Sequence, residues 1–137
     1  MENTVVVTGL GVISAVGNDV HTFWEALKTG KNGIGPITTF DVSKFDSRIA
    51  GEVKGFDPNL YGMSSKDTKR MDKFAQYAVA AAKQAINSAG LDLDKEDRTR
   101  MGVLIGSGIG SLHTMEEEFK VYLEKGPSKL SPFLIPM

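Results

Sequence analysis

The 137-residue chain contains no cysteine, which excludes disulfides, thiolate metal sites and any thiol nucleophile among these residues. An excess of charge is missing too, with 16 Lys and Arg against 17 Asp and Glu and a formal net charge of −1. That balance argues against binding nucleic acid through a generally basic surface. Histidine is scarce: only His21 and His113 are present. A zinc site needs more ligands, grouped in close pairs, so both read as surface side chains and no metal is expected. No apolar run is long enough to span a bilayer. The uncharged stretch between Asn3 and Asn18 is broken by Gly9, Gly11, Ser14 and Gly17, and it lacks the basic flank of an export signal. The expectation from these absences is a cytoplasmic protein. What remains, 41% hydrophobic and 24% charged, is the balance of a globular domain.

Periodicity places the elements. Val5-Val6-Val7, stopped by Gly9 and Gly11, predicts a strand buried on both faces. Asn18 or Asp19 caps a predicted helix with Val20, Phe23, Trp24 and Leu27 on one side, ended by Gly30. Residues 31–62 read as loop, with short β-prone pieces around Phe45 to Val53. A single helix is predicted over 64–89, capped by Ser65 and stopped by Gly90. Its apolar stripe is Met71, Phe74, Ala75, Ala78, Ala82 and Ile86, while Lys66, Lys69, Arg70 and Lys73 share another side. Met101–Ile105 predicts a second strand, followed by the glycines 106–110 and a helix from Ser111 bearing Leu112, Met115, Phe119 and Tyr122. Gly126-Pro127 ends that helix.

The last residues, Leu130 to Met137, are apolar where a terminus is usually polar. Burying Phe133, Leu134 and Ile135 is worth roughly 1.5–3 kcal/mol each. The expectation is that a partner covers them or that the chain continues.

Several motifs fail on spacing. Gly9-Leu-Gly11 after a strand invites dinucleotide binding, but position 14 is Ser and no acidic strand end follows about 20 residues on. Gly30-Lys31 lacks the other P-loop residues, with Glu25 and Asn32 in their places. Asp92, Asp94 and Asp97 lack the calcium-loop glycine and read as a solvated loop. The four cations at 66, 69, 70 and 73 fit either an ordinary solvated helix face or a docking patch for an acidic or phosphate-bearing partner.

Taken together, Val5-Val-Val-Thr-Gly-Leu-Gly11 with Val16-Gly-Asn18, Lys69-Arg-Met-Asp-Lys-Phe74 with Gln76-Tyr77, Gly106-Ser-Gly-Ile-Gly110, and Ser131-Pro-Phe133 with Pro136 resemble the β-ketoacyl-acyl carrier protein synthases. Their order and spacing are most similar to the type II elongating enzyme, over what would be about the first third of a family member. Two positions depart from the family: Ser111 stands where glycine is common, and Ala15 where proline is common.

The resemblance implies a thiolase-like α/β fold in α/β/α/β/α layers, with residues 1–137 forming the N-terminal part of its first half, ahead of the catalytic cysteine. It implies a homodimer that works with acyl carrier protein and no cofactor. The reaction is a decarboxylating Claisen condensation, in which an acyl group on an enzyme thiolate is attacked by the carbanion left when malonyl-carrier protein loses carbon dioxide. The family's cysteine and catalytic histidines match nothing here, so no catalytic residue is assigned and this stretch alone is expected to be inactive. By the same resemblance Ile109 gates the acyl pocket near the dimer interface, Leu134 falls where the partner subunit's side chain helps wall that pocket, with Phe133 adjacent, and Lys66, Lys69 and Arg70 receive the carrier protein. A non-catalytic partner subunit of the chain-length-factor kind, or a dinucleotide-binding module, would be the alternatives.

Overall fold

In the computed structural model, residues 4–135 are described. They form two compact units: residues up to Asp57 with Ala80–Asp92, and Pro58–Val79 with residues from Leu93 onward.

In the first unit, α1 spans Val20–Lys28. Asp19 is its N-cap in extended conformation, and one carboxylate oxygen accepts the Thr22 N–H at 2.8 Å. The other accepts the Thr22 hydroxyl at 2.6 Å, and these bonds hold the Asp19 carboxyl below the usual carboxylate range. Past the helix, Gly30 takes φ +66°, a left-handed conformation that glycine adopts without strain. A minimal antiparallel pair follows, β1 Gly35–Pro36 with β2 Ile49–Ala50, Gly35 lying opposite Ala50. It falls within the loop-like region, and β2 sits among its β-prone pieces.

The glycine segment meets the C-terminal part of a long helix, α3 (Lys73–Ala89). A Cβ on Gly9 would strike the Ala85 carbonyl oxygen, and one on Gly11 the Ala81 carbonyl oxygen. These glycines therefore serve close backbone approach, made possible by the alanines opposite. Gln84 completes the contact: its Oε1 accepts the Val12 N–H at 3.1 Å, and its Nε2 donates to the carbonyls of Val12 at 3.1 Å and Asn18 at 2.8 Å. No helix begins at Gly9–Gly11, so the N-terminal amides that would hold a pyrophosphate are not offered there, and the dinucleotide reading is dropped.

The second unit contains a 3₁₀ turn at Pro58–Tyr61, α2 at Ser65–Thr68 and the start of α3. A 3₁₀ turn at Arg98–Arg100, α4 at Leu112–Lys125 and a 3₁₀ turn at Pro127–Lys129 follow. The single helix expected over 64–89 is thus two helices with a break at residues 69–72. The cap is Ser64, not Ser65, in a reciprocal capping box with Asp67. Tertiary hydrogen bonding accounts for the break. Gln76 is only 5% exposed, and its Nε2 donates to the Met71 carbonyl at 2.9 Å and the Thr68 carbonyl at 3.3 Å. Those carbonyls would otherwise need helical amides. Side-chain periodicity alone does not register such a bond.

Two further corrections concern burial. On α3 the most buried positions are Gln76 and Ala80, whereas Ala82 of the expected stripe is exposed. Neither Val5–Val7 nor Met101–Ile105 is a strand, and both are solvent-exposed, Val5 at 94% and Leu104 at 99%. Strands exist through ladder hydrogen bonds to a neighbour, and among the described residues neither segment has one. The β-branched pattern records the environment a segment suits, not whether its neighbour is at hand.

Two outcomes follow for measurement. Gly11→Val sets a branched side chain against the α3 backbone and should cost about 1–3 kcal/mol in denaturant unfolding. The Ser64 hydroxyl and N–H bonded to Asp67 hold that carboxyl low. Its contribution is complete above the usual aspartate range and is lost as pH falls through the depressed value. The Ser64 and Asp67 amides should therefore lose protection, measured against intrinsic exchange at the same pH, below about pH 4, and Asp67→Ala should abolish that loss.

Candidate functional site

One face of α4 builds a concavity of the second unit. Ser111, Met115, Glu118, Phe119 and Tyr122 recur at steps of three and four from its start, the spacing of a single helix side. Together with Phe74 of α3 and Leu130, Leu134 and Ile135 of the closing segment they line an apolar groove of about 470 Å³. Phe119 and Tyr122 stack within it, ring centroids 6.3 Å apart.

The closing segment is placed by specific bonds. Gly126 takes φ +79° at the end of α4, where the chain leaves the helix. The Ser131 N–H then donates to Glu118 Oε2 at 2.7 Å, and the Phe133 N–H donates to Ser131 Oγ at 3.2 Å. A turn closes with the Leu134 N–H on the Ser131 carbonyl at 3.1 Å. At the other end of α4 the Thr114 hydroxyl donates to Asp72 Oδ2 at 2.7 Å. Ser111 sits at the N-cap without a side-chain cap bond.

The structure sorts the residues singled out in the sequence. Leu134 lines the groove. Phe133 is half-buried outside its lining, under the Arg70 guanidinium, which lies 4.8 Å from the ring centroid. Ile109 is 73% exposed and does not join Leu134 in the groove. Lys66 lies on α2 and Lys69 and Arg70 in the break after it, all exposed, so they do not share one helix side with Lys73. Of the apolar ending, Leu130, Phe133 and Leu134 are half-buried and Ile135 is 92% exposed. Pro136 and Met137 lie outside the described residues. His21 and His113 are both exposed. Asp94 pairs with Arg98 at 2.7 Å and Asp97 caps the Arg98–Arg100 turn, the solvated loop expected of these acids.

Sequence reasoning passed over Gln76, Gln84 and Glu118 as site-shaping residues. For Gln84 the signal was an amide side chain set close to the alanine run 80–82 of the helix. Glu118 is one of three consecutive glutamates, Glu116–Glu118, and nothing in the sequence marks it out from its neighbours.

Elsewhere, a polar cavity of about 380 Å³ in the first unit is lined in part by Ser14, Asn18, Lys31 and Lys54. Ser14 and Asn18 are engaged in tying its own loops together. Among the described residues no cluster of three acidic or histidine side chains could hold a metal, and no helix is long and apolar enough to cross a membrane.

Residues 2–137 match the family model described as the β-ketoacyl synthase N-terminal domain. The chain belongs to the β-ketoacyl synthase family. Over 133 residues it is 50% identical to the 3-oxoacyl-[acyl-carrier-protein] synthase 2 of Synechocystis sp., covering 97% of this chain and 32% of the relative. Among solved structures it resembles the ishigamide ketosynthase/chain length factor, with TM-score 0.74 and 32% identity over 94% of this chain and 32% of that one. It also resembles a type II polyketide acyl-carrier protein complex with its ketosynthase bound to the hexaketide, with TM-score 0.73 and 27% identity over 93% of this chain and 34% of that one. The β-ketoacyl synthase chain thus spans about a third of the length of its relatives, and its fold is that portion of the thiolase-like, layered α/β ketosynthase fold.

The Glu118 tie is testable in this family member. Glu118→Ala removes a charge-assisted bond, and the Ser131 amide should exchange about tenfold faster, the size expected for such a bond.

Proposed function

We propose that the full-length protein is a 3-oxoacyl-[acyl-carrier-protein] synthase. It lengthens fatty acyl chains by decarboxylating Claisen condensation, acting as a cytoplasmic homodimer. Residues 1–137 form the N-terminal part of its first thiolase-like half. The observation that carries this reading is the near-complete alignment of the chain with synthases of that name. The nucleophilic cysteine belongs to the remainder of the protein, and this portion contributes surfaces to binding.

Two such surfaces are assigned. The apolar groove beside Leu134 suits an acyl chain, whose transfer from water gains roughly 0.8 kcal/mol per buried methylene. Leu134 forms part of its wall, Phe133 supports the wall from behind, and Ile109 gates the pocket from the exposed glycine loop, where a second subunit would cover it. Lys66, Lys69 and Arg70 form the docking patch for the acidic carrier protein. Exposed cations chiefly steer and orient such an encounter. The likeness to a ketosynthase/chain length factor favours one rival, a partner subunit that keeps the fold and lacks the nucleophile.

One assay of the full-length protein separates these readings. Supplied with acyl- and malonyl-carrier protein, an elongating synthase releases carbon dioxide and a 3-oxoacyl product. A partner subunit binds carrier and releases neither. Changing Lys66, Lys69 and Arg70 together to Glu should raise KM for the acyl-carrier substrate by roughly tenfold or more, an effect that weakens with added salt. An unchanged KM overturns the docking assignment.

A further inference from the structure

Arg70 stands apart from the other two cations of the proposed docking patch. Its guanidinium is held over the Phe133 ring, 4.8 Å from Cζ to the centroid. It makes none of the ion pairs found among the described residues. The nearby Asp67 carboxylate feels its charge but bonds to Ser64 instead. Phe133 belongs to the turn that closes the groove. Glu118 anchors the Ser131 end of that turn, Ser131 Oγ accepts the Phe133 N–H, and the next residue, Leu134, is groove wall. The turn is therefore gripped on two sides, by a carboxylate on α4 and by a guanidinium from the break between α2 and α3.

We propose that Arg70 is a positioning residue for the groove: by its cation–π contact with Phe133 it fixes the turn that sets Leu134, and so governs the length of apolar chain the groove accepts. A guanidinium suits the task because its plane stacks on an aromatic face and its charge persists at all working pH values. The inference rests on the acyl-groove reading. It does not depend on carrier docking.

The test uses the full-length protein and carrier-free acyl thioesters of short and long chain, which bypass the docking patch. Arg70→Ala should change the long-to-short ratio of kcat/KM about fivefold, the size of a partly exposed cation–π contact. Arg70→Lys, which keeps the charge without the planar group, should restore part of the ratio. Phe133→Ala should give the same change as Arg70→Ala, and the double variant no more than either single one. The proposal is overturned if Arg70→Ala leaves the ratio as it was, or if its effect adds fully to that of Phe133→Ala. Leu134→Ala tells the two failures apart. Where it shifts the ratio and Arg70→Ala does not, the groove reading stands and only the role of Arg70 falls. Where neither shifts it, the groove reading fails and the role falls with it.

Discussion

Backbone polar groups that leave regular structure must find partners or incur the cost of burial without them, and in this chain two glutamines on α3 meet that requirement. Gln84 receives the Val12 amide and binds the carbonyls of Val12 and Asn18, fixing the glycine segment where it meets helix backbone. Gln76 donates through Nε2 to the carbonyls of Thr68 and Met71, which gives both acceptors a partner where the chain turns between two helices, while its own Oε1 is buried without one. Remove either carboxamide and a loop loses its reason to stay near the helix. The rest of each unit is built outward from these ties: in the first, α1 and the short hairpin; in the second, α4 and the closing turn.

The second unit repeats the device at smaller scale. Glu118 and Asp72 each use one carboxylate oxygen to capture a neighbour, the Ser131 amide and the Thr114 hydroxyl. Apolar contact supplies most of the groove's surface but has no directional preference. The polar bonds choose which apolar residues line it. That division of labour explains why Leu134 is in the groove and Phe133, one residue away, is under Arg70.

How much of this could be read from the residues depended on how local the cause was. Asp19 before α1, Gly126 after α4 and the three-and-four spacing of Met115, Phe119 and Tyr122 act within a few positions, and each was legible. The family was legible because four short motifs stood in order. The break at residues 69–72 was not, because its cause is a side chain several residues further on. Val5–Val7 and Met101–Ile105 misled for a different reason. Their composition answers to neighbours that the described residues do not provide, while the relatives carry about twice as much chain again. In the candidate site, Leu134 lines the groove while Ile109 and Phe133 do not, and the pairing of Arg70 with Phe133 joins two separate motifs and had no signature in either.

Those two exposed segments bear on how such a protein comes into being. Ribosomes add about 5–20 residues per second, so Val5–Val7 is synthesised roughly 5–20 s before Met101–Ile105. Over that interval its amides and carbonyls accept any extended chain that drifts past, including a sister copy on the same messenger. Safe biogenesis then becomes a matter of timing: dilution, a chaperone's shelter or a pause in translation decides which neighbour is met first.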